Sequence, residues 1–147
     1  MAEVITITNN GTEALEFHFF QYCDFNLGGD GSDDSVDIFN GNQAMQVDPN
    51  QIVSETIVTG TPDSYEAALT SVTLGKLTDG SATDLNNSTS AGPGDVTWAF
   101  QWDRTIDPGM TFQISKDKNI LVPEPATMAL LAFGGLGVLL KRKRNRT

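Results

Sequence analysis

The sequence predicts an all-β fold, an antiparallel β-sandwich of jelly-roll or immunoglobulin-like type, followed by a single C-terminal transmembrane helix. Three observations carry this prediction. Turn-forming residues recur at short intervals, among them Asn9-Asn10-Gly11, Asn40-Gly41-Asn42, Asp48-Pro49-Asn50, Asp79-Gly80 and Asp107-Pro108-Gly109. Between these turns, apolar and polar residues alternate with the period of a strand that buries one face. Near the end, residues 126–140 run for fifteen positions without a charge and are followed at once by five cations.

In chain order, strands are expected at 3–8, 15–22, 35–40, 43–48, 52–58, 65–70, 95–103 and 110–117. The first reads as a strand from its opening residues. In the second, Leu15, Phe17 and Phe19 alternate with Glu16 and His18. The next four are short runs bounded on both sides by turn signals. In the seventh, Val96, Trp98, Phe100 and Trp102 alternate with Thr97, Ala99 and Gln101. In the last, Met110, Phe112 and Ile114 alternate with Thr111, Gln113 and Ser115. Residues 66–78 also admit a short helix, through the spacing of Ala67, Leu74 and Leu77. Seven or eight short strands at this spacing favour a sandwich. The sequence divides into a β-sandwich at 1–117, an extended linker at 118–125, and a transmembrane helix with a basic tail at 126–147.

Composition narrows the function. The 147 residues suit one domain. A single Cys excludes a disulfide framework, and one Cys with one His excludes a Cys/His zinc site. With 19 acids, 9 cations and a net charge of −10, nucleic acid is excluded as a partner. The charge is also divided. Residues 1–122 hold eighteen of the acids and only Lys76, Arg104, Lys116 and Lys118. The other cations, Lys141, Arg142, Lys143, Arg144 and Arg146, follow the apolar run. As a helix that run spans about 22 Å against about 30 Å of hydrocarbon, a gap that snorkelling side chains and local thinning can close. The positive-inside rule places the basic cluster in the cytoplasm and the acidic body across the membrane.

Between body and apolar run stands Val122-Pro123-Glu124-Pro125. Two prolines fix their own φ and bias their predecessors away from helix, so the segment is held extended and accessible to a protease. The whole run VPEPATMALLAFGGLGVLLKRKRNRT resembles the PEP-CTERM sorting signal of Gram-negative bacteria that make exopolysaccharide. The resemblance implies an exosortase as partner, with cleavage at Val122, Pro123, Glu124 and Pro125. It implies a precursor in the cytoplasmic (inner) membrane and a product at the cell surface or in the extracellular matrix. In the body, FFQYCDFNLGGDGSDDSV, WAFQWD and PGMTFQISKDK resemble uncharacterised ectodomains of the same group, which implies a similar sandwich and no known activity. Such proteins open with a secretory leader. Residues 1–8 have neither a basic n-region nor an h-region, so a leader is expected to be missing from this chain.

Several residues in the body could carry chemistry. The stretch 24–37 is acidic and glycine-rich. Asp24, Asp30, Asp33, Asp34 and Asp37 supply the hard oxygens that Ca²⁺ takes, which makes calcium the candidate cofactor, although none is required. A solvated acidic turn accounts for the same residues. Trp98 and Trp102 could stack on sugar rings, although strict alternation favours the core. Asp24 and Asp103 both end apolar strands and could form a carboxylate pair, but no nucleophile elbow accompanies them. His18 falls on the polar face and would need partners to act. Cys23, after an apolar run, is expected to be buried and inert. The expected function is therefore not enzymatic. It is an exported, membrane-tethered structural or adhesive module of the envelope or matrix. The alternatives are an exopolysaccharide-binding module and, last, a glycoside-type hydrolase.

Overall fold

The computed structural model describes residues 1–122. In them the alternation becomes two antiparallel sheets. The elements are β1 (Ala2–Thr8), β2 (Leu15–Asp24), β3 (Ser35–Phe39), β4 (Gln43–Val47), β5 (Ile52–Thr59), β6 (Ser64–Leu69), α1 (Thr70–Thr78), β7 (Ser90–Ala91), β8 (Val96–Ile106) and β9 (Thr111–Leu121). One sheet has the order β1-β9-β5-β4-β3-β7, the other β2-β8-β6. The first two strands thus pair with the last two, β1 with β9 and β2 with β8. Among the described residues no helix is long and apolar enough to cross a membrane. The helix expected at 126–147 lies outside the described residues.

The core sits between the sheets. Strand β8 is the centre of its sheet and turns Val96, Trp98, Phe100 and Trp102 inward, each wholly buried. Across from them lie Val36, Ile38, Ala44, Val53, Ile57 and Ile114 of the larger sheet. Phe25 stacks on Trp98 at 5.5 Å, and Phe19 packs on Trp102 at 5.6 Å. The inward face is not purely apolar. Glu55 is wholly buried and faces Lys118 at 3.1 Å and Lys116 at 3.5 Å, while Lys116 also reaches Glu3 at 3.2 Å.

Local chemistry sets the turns. Asn40 and Gly41 both have positive φ and lie in the three-residue turn between Phe39 and Gln43 that joins β3 to β4. A Cβ on Gly41 would also lie 2.9 Å from the Tyr65 ring. Asp48 closes the β4–β5 turn by accepting from the Asn50 N–H at 2.6 Å.

Three boundaries differ from expectation. The helix is real but occupies Thr70–Thr78, after β6 rather than across it. Strand β9 continues to Leu121, paired with Ile52, so residues 118–121 belong to the sheet and not to a linker. Met110 lies outside β9 and is exposed.

The polar stretch 81–90 is a seam between the sheets. Asn87 N–H donates to Tyr65 O at 2.8 Å, Ala67 N–H to Ser88 O at 3.0 Å, and Ile38 N–H to Thr89 O at 2.7 Å. These bonds cover the free edge of β6 and tie it to β3.

Helix α1 and this seam cover the outer face of β6 and β8 through Glu66, which is wholly buried. Burial pushes its pKa up. The Lys76 ammonium at 2.5 Å, the Thr73 hydroxyl at 2.8 Å and the Asn86 N–H at 3.1 Å outweigh that and hold it below the ordinary glutamate range. A depressed carboxyl contributes stability that is present above its unfolded pKa and is lost as pH falls through the folded value. Lys76→Met should raise the pH midpoint of acid unfolding followed by circular dichroism. It should also cost about 1–3 kcal/mol at pH 7, less than a fully buried pair because Lys76 reaches solvent.

Candidate functional site

Register places the sorting segment. Strand β9 lies between β1 and β5 and ends where Leu121 pairs with the first residue of β5. Ile120, Leu121 and Val122 are each more than half exposed there. The same end of the sandwich carries Met1, whose amino group donates to Lys118 O at 2.6 Å, as well as the β4–β5 turn and the start of β3. Asp24, at the end of β2, opens the acidic loop that crosses there to β3. The chain therefore leaves the domain through its acidic end. Pro123, Glu124, Pro125 and the cations Lys141, Arg142, Lys143, Arg144 and Arg146 lie outside the described residues.

The structure does not gather the five loop aspartates. Asp24, Asp30, Asp33 and Asp37 are exposed, and only Asp34 is buried. Asp30 is used locally, accepting from the Ser32 N–H at 3.1 Å. Among the described residues no three His, Cys, Asp or Glu side chains come together as metal ligands would.

Trp98 and Trp102 have no exposed surface, which corrects the sugar-stacking reading. Alternation decides it: both fall on the face of β8 that meets the opposite sheet. Cys23 is a buried free thiol, and burial pushes its pKa up.

The outer face of the smaller sheet offers a different site. His18 of β2 and Asp103 of β8 are direct cross-strand partners, and His18 Nδ1 lies 2.6 Å from Asp103 Oδ1. Gln101 Nε2 donates to both Asp103 oxygens at 3.0 Å and to Asp84 Oδ1 at 2.9 Å. Its own Oε1 accepts the Leu85 N–H at 2.8 Å, which fixes the amide. Burial pushes the Asp103 pKa up, but the Gln101 amide, His18 and the Arg104 charge bring it below the ordinary aspartate range. Arg104 is itself paired with Asp63 and lies 5.0 Å over the Phe112 ring.

His18 is the shared wall of two depressions. One, of about 220 Å³, is lined by Phe17, Asp103, Arg104 and Thr105. The other, of about 260 Å³, is lined by Phe20, Leu77, Thr83 and Asp84. An aromatic edge, two carboxylates and an imidazole can bind a polyhydroxylated ligand. Among the described residues the hydrogen-bond partner of the His18 ring is Asp103, and no hydroxyl is bonded to it. The sequence singled out His18 and Asp103 separately. It did not pair them, because pairing depends on the β2–β8 register, and it missed Gln101 and Asp84 as positioning groups. Asp24, the proposed carboxylate partner of Asp103, sits at the other end of β2.

Compared with known families, residues 121–144 match the PEP-CTERM protein-sorting motif. The match begins at the last residue of β9 and leaves the sandwich outside it. A search of curated proteins finds no significant match.

Proposed function

We propose that this protein is a surface-displayed β module, delivered as a membrane-anchored precursor and cleaved by an exosortase at Pro123-Glu124-Pro125. The observation that carries this reading is the match at 121–144, which supports an exosortase-targeted sorting signal. The fold supports it too, because Pro123-Glu124-Pro125 lies beyond Leu121, the last paired residue of β9. The pairing of β1 with β9 and of β2 with β8 favours a jelly-roll reading of the sandwich over an immunoglobulin-like one. The role is structural or adhesive, not enzymatic. The experiment is terminal-peptide mass spectrometry on the mature protein from its host. A last peptide ending near residues 123–126 supports the reading, and persistence of residues 129–140 refutes it.

A second reading, exopolysaccharide binding, is favoured by the groove beside His18, with half-buried Phe20 and the ordered Asp103 and Asp84 carboxylates. His18→Ala and Asp103→Asn should then weaken retention on the host's own polysaccharide in affinity electrophoresis. Both side chains are exposed enough that stability should change by less than about 1 kcal/mol. Unchanged retention in both variants would remove the groove from consideration.

A further inference from the structure

The open end of the β3–β4 hairpin carries a set of side-chain oxygens. Ser35 pairs with Val47, so Asp34 and Asp48, one step further out on each strand, stand opposite one another. Gln46 precedes Asp48 by two residues, as the last inward-facing side chain of β4 before the turn. Asp34 and Gln46 are both wholly buried. Asp34 Oδ2 accepts from the Leu27 N–H at 3.1 Å and from Gln46 Nε2 at 2.7 Å, and Gln46 Nε2 also donates to Phe25 O at 2.6 Å. Every donor of this small network is used, and two acceptors remain. Asp34 Oδ1 and Gln46 Oε1 are buried with no partner.

Asp48 completes the set. Its Oδ1 accepts the Asn50 N–H at 2.6 Å, and its Oδ2 turns toward Gly28, where a Cβ would come within 2.5 Å of it. Gly28 has φ +65 and lies in the short 3₁₀ turn Leu27–Gly29 that covers Asp34. A glycine there lets the loop backbone close over a carboxylate. Two orphaned acceptor oxygens beside a second carboxylate are costly unless something positive satisfies them.

We propose that Asp34, Gln46 and Asp48 form a binding site for a divalent cation, Ca²⁺, under the Leu27–Gly29 turn. The donors are all hard oxygens, two from carboxylates and one from an amide, and Ca²⁺ accepts such sets in irregular geometry with loop carbonyls or water completing six to eight ligands. Mg²⁺ demands stricter octahedral geometry and keeps its water, so it fits less well. The site retains only Asp34 of the acidic loop. The other two ligands come from β4 and its turn, a strand with no acidic signature. The cation would tie the loop leaving β2 to the β3–β4 hairpin, at the end from which the sorting segment departs.

The test is a melting curve of the full chain in detergent, first in EGTA and then with added Ca²⁺ or Mg²⁺, together with calorimetric titration. The expected result is one bound Ca²⁺ and a rise of several degrees that Mg²⁺ does not reproduce. Asp48→Asn, at a partly exposed position, should fold in EGTA as the parent does and lose the Ca²⁺-dependent rise. Asp34→Asn should lose it as well if it folds. A melting point indifferent to Ca²⁺ in the parent overturns the proposal. A single proton shared between Asp34 Oδ1 and Gln46 Oε1 would then satisfy both oxygens. An equal rise with Mg²⁺, or one that persists in Asp48→Asn, also overturns it, as general charge screening.

Discussion

Glu124→Ala, and separately Pro123 and Pro125 both changed to Ala, should leave the precursor uncleaved in its host. Intact mass should show residues 126–147 retained in both variants, where the parent ends near residues 123–126. The physical reason lies in how the motif is presented. Strand β9 is fully paired to Leu121, and only Val122 stands between the sheet and Pro123. Proline lacks an N–H donor and fixes its own φ, so Pro123 and Pro125 disfavour by residue type both a continued strand ladder and a helix start. With alanines both constraints go, because Ala has an N–H and the highest helix propensity.

Distance adds a constraint. The four residues between Leu121 and Ala126 span at most about 13–14 Å when extended. On the proposed reading of 126–140 as a membrane anchor, cleavage would fall within that distance of both Leu121 and the membrane surface. Changing Lys141, Arg142, Lys143, Arg144 and Arg146 to Gln should also prevent processing, but for another cause. It removes the orientation signal, and the body should then be protected from external protease in spheroplasts. The two defects are separable by that protease assay.

Much of the sandwich was legible because its signal is binary. Strand β8 shows strict alternation over four large apolar residues, and only a strand facing another sheet uses all of them. Asn40-Gly41 marks a hairpin turn by its residue types alone. The sorting segment was legible for a different reason: it is read by an enzyme as a linear sequence, and its meaning does not depend on the fold.

What was not legible depends on register and on pairing across the sheets. Glu55 and Lys116 lie on inward faces where alternation expects apolar residues, and they are tolerated because they meet each other and Lys118. Nothing local in either strand announces the other. The seam at 86–89 reads as a polar loop because its hydrogen bonds are made by backbone groups, which every sequence has. The acidic loop failed in the opposite direction. Its aspartates are dense in sequence, yet four point to solvent, and the buried Asp34 takes Gln46 as partner from a neighbouring strand.

Trp98 and Trp102 should respond differently to the same change, and the difference follows from one hydrogen bond. Both are wholly buried at the centre of β8, so either →Ala change should cost about 3–5 kcal/mol in urea unfolding of the full chain in detergent. Phenylalanine keeps most of the packing and removes only the indole N–H and one ring. The Trp102 Nε1–H donates to Gly60 O, whereas Trp98 Nε1 is buried without a partner. Gly60 is fixed in place: it has positive φ, and a Cβ there would lie 2.7 Å from Gln113 O, so its carbonyl is not free to find a new donor. Trp102→Phe therefore leaves a buried acceptor unsatisfied and should cost about 1–3 kcal/mol beyond the lost volume. Trp98→Phe should carry no such penalty, because it deletes an N–H that was already unsatisfied. Equal losses in the two Phe variants would mean that the Gly60 bond contributes nothing. Because Trp98→Phe should preserve the fold, it also separates the core from recognition. If polysaccharide retention survives Trp98→Phe and falls with His18→Ala, the ligand is read on the outer face of the smaller sheet and the tryptophans act only by holding that sheet against its partner.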